Sequence, residues 1–208
     1  MIKLKSLLLA IIIFNTYLFL IGENVKSEWQ LSKSEKQISV YTRQVNYSDY
    51  KEFKAVMSVK SSPEAIITLL RNIEDYERWL PDCLESKILN KTSDNHQINY
   101  ILMDIPWPFE NRDFVYQFTL DSINLKFEPL KILIENKPTY IPRKKNIVRI
   151  PTSAGFWNIT PISENLTKVE YQMHVEPGGY IPAWLANLKL VDTPFTFLYN
   201  LRDQIEWE

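Results

Sequence analysis

Alternation of apolar and polar side chains dominates the chain from Ile38 onward. Between Tyr50 and Lys60, the residues Phe53, Ala55, Met57 and Val59 alternate with Glu52, Lys54, Val56 and Ser58, the period of two that marks a strand buried on one face. Ser62-Pro63-Glu64 then opens a helix, because serine caps an N-terminus well and proline suits the first helical position. Ile66, Leu69, Leu70 and Ile73 give that helix its apolar face. A second, short helix around Asp75 to Leu80 stops at Pro81. Seven further runs read as antiparallel strands, near residues 84–92, 97–105, 112–123, 130–137, 146–150, 155–161 and 168–176. Turn chemistry separates them at Ser93-Asp94-Asn95, Pro106-Trp107-Pro108 and Ser163-Glu164-Asn165. Pro177-Gly178-Gly179 ends the last strand. Beyond it Trp184, Leu188, Val191, Phe195, Leu198, Arg202 and Ile205 recur at steps of three and four, which predicts one long amphipathic helix. Pro182 falls in its first turn, and Pro194 is expected to kink it.

The order is therefore a strand pair, helices, a run of strands and one long helix, an α+β arrangement. A sheet with one apolar face needs a cover, and the terminal helix is the only element long enough to supply it. A curved antiparallel sheet wrapped around a helix can enclose a cavity. The composition fits that picture. Six Trp, eleven Tyr and ten Phe in 208 residues provide large apolar surfaces with a few polar handles, as a cavity wall requires. A formal net charge of −1 lacks the basic excess of a nucleic-acid-binding protein. The dense basic run Arg143-Lys144-Lys145 sits in a loop and reads as a solvated turn.

Catalytic patterns are weak. His96 lies beside a turn, and His174 falls on the polar side of its strand with Glu170, Gln172 and Glu176, so both read as solvated. Cys83 has no activating base near it in sequence. Four glycines and the absence of a phosphate loop, a nucleophile elbow or metal-spaced His/Cys clusters leave no expected cofactor or metal.

The N-terminus carries a different signal. Lys3 and Lys5 precede an apolar stretch from Leu7 to Ile21, broken only by Asn15 and Thr16. That stretch is short for a membrane span, which needs about 20 apolar residues, but suits a secretory signal peptide. Val25 and Ser27 fit the −3 and −1 positions of a cleavage site. Residues 1–27 are thus expected to be an export signal and 28–208 the folded domain, placed in the periplasm or outside the cell. An uncleaved segment would instead anchor the domain to the membrane. An oxidising compartment would find one cysteine, Cys83, and no disulfide to make.

Several stretches, in order, carry a resemblance to a known family. These are Asp75-Tyr76-Glu77-Arg78-Trp79; Asp104-Ile105-Pro106-Trp107-Pro108-Phe109-Glu110-Asn111-Arg112-Asp113-Phe114-Val115; Asn146-Ile147-Val148-Arg149 with Gly155-Phe156-Trp157; and Glu176-Pro177-Gly178-Gly179-Tyr180-Ile181-Pro182. Together they resemble the START (steroidogenic acute regulatory protein-related lipid transfer) domain, over about Trp29 to Arg202, with Glu176 where aspartate is commoner. The resemblance implies a helix-grip fold, a tunnel between sheet and C-terminal helix, and non-enzymatic binding or transfer of a lipid or sterol-like molecule. Two alternatives stand beside it: an aromatase/cyclase-type enzyme of the wider helix-grip superfamily, and a protein-interaction module with a degenerate cavity.

Strand alternation then names the residues expected to face a ligand. From Arg112, the side chains of Phe114, Tyr116 and Phe118 share one face and Asp113, Val115 and Gln117 the other. Trp157, Tyr171 and Met173 continue the inward set on the later strands, Met103 joins it, and Trp184, Leu188, Val191 and Phe195 would close the cavity from the helix. Arg112, at the end of the inward face, would need either a carboxylate, with Asp104 and Glu110 the nearest, or a ligand headgroup. Trp107 in the Pro-Trp-Pro turn and Gly178, Gly179 and Tyr180 before the final helix are the expected gate, in transient contact with a membrane.

The export reading has a direct check. N-terminal sequencing of the protein from the cell-envelope fraction should find chains beginning at Glu28. Chains that begin at Met1 and stay in the membrane would show an anchor instead.

Overall fold

The fold is known from a computed structural model, which describes residues 27–121 and 129–206. The expected export segment lies outside the described residues, except for Ser27. Ten strands form one sheet: β1 (Gln30–Glu35), β2 (Ile38–Val45), β3 (Ser48–Val59), β4 (Cys83–Ser93), β5 (His96–Met103), β6 (Asn111–Asp121), β7 (Leu130–Asn136), β8 (Ile147–Arg149), β9 (Thr152–Ser163) and β10 (Leu166–Glu176). Their spatial order is β1-β2-β3-β10-β9-β7-β6-β5-β4. Every pair on this path is antiparallel. The short β8 runs parallel to Asn111–Asp113 of β6, taking over alongside β6 where β7, paired from Tyr116 onward, has left it. The register of β4 on β5 shifts three times along its length, and such bulges bend and twist a strand. The sheet curves, as a helix-grip fold requires.

Helix α1 (Pro63–Arg71) forms where serine, proline and the apolar stripe predict it. The Ser62 hydroxyl accepts from the Ala65 amide, Pro63 stands in the first turn, and Glu64 and Arg71 sit at the ends that favour their charges. It buries Ile66, Ile67 and Leu70 on the inner face of the sheet. A 3₁₀ turn (Ile73–Asp75) leads into α2 (Tyr76–Trp79), where Tyr76 and Trp79 stack edge to face with centroids 4.7 Å apart.

The C-terminal segment departs from the expected single helix. The chain forms α3 (Ala183–Lys189), breaks at Leu190 and Val191, and restarts as α4 (Asp192–Glu206). Pro194 is the physical reason. It has no N–H to donate to the Leu190 carbonyl one turn back, so a proline that would interrupt one helix starts another from within its first turn. The restart changes which side chains point inward. Pro194, Phe197, Leu198 and Leu201 enter the core, while α3 buries none of its residues. Trp184 and Leu188, expected on the inner face, are 67% and 64% exposed. Helix α4 is clipped to α2 by the Asn200 amide on the Trp79 carbonyl, 2.7 Å, and to the β1–β2 turn by Arg202 on the Lys36 carbonyl, 2.7 Å.

On the outer face, a buried ion pair fixes the chain between β7 and β8. Arg149 meets Asp113 with both arms, at 2.6 and 2.9 Å, and both side chains are buried to within 1%. Its remaining donors reach the carbonyls of Pro138 (2.8 Å), Ile141 (3.2 Å) and Pro142 (3.4 Å). That strap lays Ile141 over a small outer cluster of Ile98, Tyr100 and Val115. Lys144, from the basic run, pairs with Glu85 at 2.9 Å and lies 4.4 Å over the Tyr100 ring, so it is engaged rather than freely solvated. His174 also departs from expectation. It is 5% exposed, with Tyr47 edge-on at 5.2 Å covering it.

Removing one partner of a buried, hydrogen-bonded ion pair strands the other charge. Asp113→Asn is expected to cost about 3–5 kcal/mol of folding stability. Arg149→Leu should cost at least as much, because it also frees three strap carbonyls. Urea unfolding measures both, and a midpoint unchanged in Arg149→Leu would show that the strap holds without it.

Candidate functional site

The inner face of the sheet and the helices leave a cavity of about 250 Å³ between them. Strand alternation sets most of its wall. Phe114, Tyr116 and Phe118 come from β6, Tyr171, Met173 and Val175 from β10, Ile101 and Met103 from β5, and Phe53, Ile134 and Trp157 from β3, β7 and β9. Leu70 of α1, Tyr76 of α2 and the following Leu80 close one side, and Thr193, Pro194 and Phe197 of α4 close another.

Aromatic stacking holds this wall in shape. Trp157 and Tyr171, directly opposed in the β9–β10 ladder, lie face to face at 3.9 Å and 3°. Phe197 of α4 meets both edge-on, at 5.4 and 5.6 Å, and also stacks on Trp79 at 5.2 Å. One helical side chain therefore joins the two sides of the cavity. Phe114 and Tyr116 stack at 4.7 Å further along.

The few polar atoms in this wall are neutral. The Tyr76 hydroxyl donates to the Leu70 carbonyl at 2.8 Å, and the Tyr171 hydroxyl to the Met173 sulfur at 3.0 Å. Burial pushes the phenols of Tyr76, Tyr116 and Tyr171 well above their ordinary pKa. The Asn99 amide beside Tyr116 offsets part of that rise. No charged side chain is found in the wall among the described residues.

Of the residues expected to face a ligand, the structure gathers Met103, Phe114, Tyr116, Phe118, Trp157, Tyr171 and Met173 around this one space. The five others stand elsewhere. Trp184 and Leu188 point to solvent on α3, and Val191 sits in the break before α4, against the edge of the core. Phe195 is buried but turns toward β1, with the Lys33 ammonium 4.2 Å over its ring. All four follow from the helix restarting at Pro194, which moved the lining role to Pro194 and Phe197. Arg112 is 2% exposed and pairs with neither Asp104 nor Glu110 through a carboxylate. It donates to the backbone carbonyls of Glu110 and, at 3.2 Å, of Gly178. Burial lowers its pKa, and the Glu110 charge partly opposes that.

Arg112 thus ties the Pro-Trp-Pro loop to the Gly-Gly turn. Both glycines are left-handed, at φ +68° and +64°, and a Cβ on Gly179 would stand 3.0 Å from the Arg112 guanidinium. The turn can approach the arginine because glycine is there. The two expected gate aromatics lie beyond this tie: Trp107 is 92% exposed and Tyr180 98% exposed. Cys83 opens β4, half-buried, with burial pushing its thiol upward.

The comparisons agree with this architecture. The family model for the START domain matches residues 21–197. An uncharacterized protein of Pseudomonas aeruginosa is 34% identical over 187 residues, 89% of this chain and 90% of its own length. The phosphatidylcholine transfer protein of Mus musculus is 23% identical over 77% of this chain and 76% of its own. Among solved structures, a STAR-related lipid transfer protein (fragment 25-204) of Xanthomonas axonopodis superposes with a TM-score of 0.80 at 37% identity, over 86% of this chain and 99% of that one. A curved sheet closed by its C-terminal helix, the Arg-Asp block of β6, the Pro-Gly-Gly turn and a family match across most of the sequence make this chain a member of the START domain family.

Proposed function

We propose that this protein binds one lipid or sterol-like molecule in the cavity and carries it between membranes of the cell envelope after export. One observation carries the reading: a wall of aromatic and aliphatic side chains drawn from six strands and three helices, with no charge among its described residues. Such a wall gains free energy from apolar burial, on the order of 25 cal/mol per Å², and has little else to offer a ligand. START proteins bind lipids or other hydrophobic ligands, and this chemistry supports the same use here. Cyclase chemistry requires an acid/base pair near its working pH facing the substrate. The described wall offers only phenols raised by burial and the Thr193 hydroxyl.

The volume supports a gate. At about 250 Å³ the cavity is below the roughly 300–1,000 Å³ of ordinary ligand sites, so a whole lipid enters only if a wall moves. The Pro106–Pro108 loop and the Gly178-Gly179 turn flank the end lined by Met103, Phe114 and Val175, and they meet through Arg112. Trp107 and Tyr180, almost fully exposed at that end, are aromatic groups of the kind that settle at a membrane interface.

Two experiments test these points. Phe118→Glu or Met173→Glu should abolish co-purification of extractable lipid, measured by native mass spectrometry, while Glu170→Lys on the outer face should not. Equal loss from both kinds of change would remove the cavity from the mechanism. Trp107→Ala combined with Tyr180→Ala should slow lipid exchange with vesicles without changing the unfolding midpoint. An exchange rate equal to that of the native protein would reject the gate.

A further inference from the structure

One row of inward-facing positions crosses the middle of the sheet. In register it runs through Phe53 on β3, Met173 on β10, Gly155 on β9, Ile134 on β7 and Phe118 on β6. Phe53, Met173, Ile134 and Phe118 line the cavity, and Gly155, at the centre of the row, has no side chain to offer. Glycine inside a strand weakens it and often marks a close approach. The backbone of Gly155 is not left-handed, unlike those of Gly178 and Gly179, so torsional freedom does not call for glycine there. The reason is space. A Cβ on Gly155 would stand 2.6 Å from the Gln172 carbonyl oxygen, and 2.9 and 3.1 Å from Cγ and Cβ of Met173. Part of the room thus admits the β10 backbone, and the Met173 side chain leans back into the rest of the notch.

A second contact holds Met173 in that position. The Tyr171 hydroxyl donates to its sulfur at 3.0 Å, and the Tyr171 ring is fixed in turn by the Trp157 stack at 3.9 Å and by Phe53 edge-on at 5.1 Å. A hydrogen bond to a thioether is weak, and methionine is unbranched and adaptable. The other side chains of the row are aromatic rings or the β-branched Ile134, which is stiff at χ1. Met173 is therefore the member of the row that changes its reach without moving backbone. Turned back against Gly155, it leaves the cavity at its full width. Turned forward, it enters the cavity and narrows it. A side chain at position 155 would hold it forward permanently.

We propose that Gly155 and Met173 form an adjustable wall, which lets the one cavity grip both slim apolar chains and bulky ring systems. This rests on the lipid-binding reading above and adds the residues that set its breadth of ligand. The test uses the purified full-length protein with N-phenyl-1-naphthylamine as a fluorescent occupant. Dodecanol or 2-(1-adamantyl)ethanol displaces it, a chain and a cage of equal carbon count, each ending in a hydroxyl. Affinities in each variant are corrected for that variant's own affinity for the fluorophore. The native protein should bind the two alcohols within about threefold of each other. Met173→Ala removes the group that closes on a chain, so the chain-to-cage affinity ratio should fall about tenfold, the worth of roughly two buried methylene groups. Gly155→Ala forces Met173 forward and should raise that ratio by about the same factor. Tyr171→Phe keeps the stacked ring, frees the sulfur and should raise the ratio about threefold; it decides the matter if Gly155→Ala fails to fold. Three results would overturn the adjustable wall while leaving the lipid site standing: a native protein that takes one alcohol and rejects the other, a ratio unchanged by Met173→Ala, or a ratio that Met173→Ala and Tyr171→Phe shift the same way. If the fluorophore and both alcohols fail to bind, the lipid-binding reading falls and this one with it.

Discussion

A sheet this wide cannot be covered by the helix that closes it. Nine strands side by side, at about 4.8 Å each, span on the order of 40 Å, whereas the 15 residues of α4 extend only about 22 Å. Curvature reduces the mismatch by folding the flanks of the sheet toward the helix, and α1 and α2 fill part of what remains. The shortfall is the cavity. It follows from the ratio of sheet to helix, and the residues around it are large and aromatic because they must bridge a gap that ordinary core packing would have closed. Phe197 shows this most clearly, since it reaches the Trp157–Tyr171 stack on one side and Trp79 on the other.

The adjoining pair Arg112 and Asp113 organises both sides of the sheet from one point. Successive residues on a strand face opposite ways, so Arg112 reaches toward the Gly-Gly turn at the cavity end, and Asp113 reaches outward to Arg149 and the strap. Two buried charges are tolerated for different reasons. Asp113 has a bidentate partner, whereas Arg112 is satisfied by carbonyl dipoles at its terminal nitrogens, with its Nε unpaired. The dipeptide is legible as a motif in the sequence. The division of labour between its two halves is not, because it depends on which carbonyls the distant turns deliver.

What the sequence revealed followed period and punctuation. The strands on either side of the cavity, the cap of α1 and the lining residues of β6, β9 and β10 come directly from alternation and turn chemistry, and the structure places those residues around one space. A helical stripe drawn through Pro194 misplaces the C-terminal lining, because it assumes a continuous rotation and the restart resets its phase. β5 defeated the method differently. Its outward face, Ile98, Tyr100 and Leu102, is the more apolar because the Ile141 strap covers it, whereas its inward face mixes Gln97 and Asn99 with Ile101 and Met103, so alternation alone does not tell inside from outside. His174 reads as solvated because its own strand neighbours are polar; the ring that covers it, Tyr47, arrives from the β2–β3 turn.

The break before α4 separates two properties that a continuous helix would have joined. Helix α3 buries no residue. It is held to the β2–β3 hairpin mainly by the Asn187 side chain, on the Lys51 amide at 2.9 Å and the Asp49 carbonyl at 3.3 Å, and by Tyr50 on the Ile181 carbonyl at 2.8 Å. A segment tied by a few surface hydrogen bonds opens at far lower free energy than one anchored in a core. Because the helical hydrogen-bond ladder stops at Leu190, lifting α3 does not pull on Phe197, Leu198 or Leu201. Opening and folding are therefore set largely by separate residues: substitutions in 180–189 bear on how readily α3 lifts, and those in 194–201 bear on the core and, through Pro194 and Phe197, on the cavity wall.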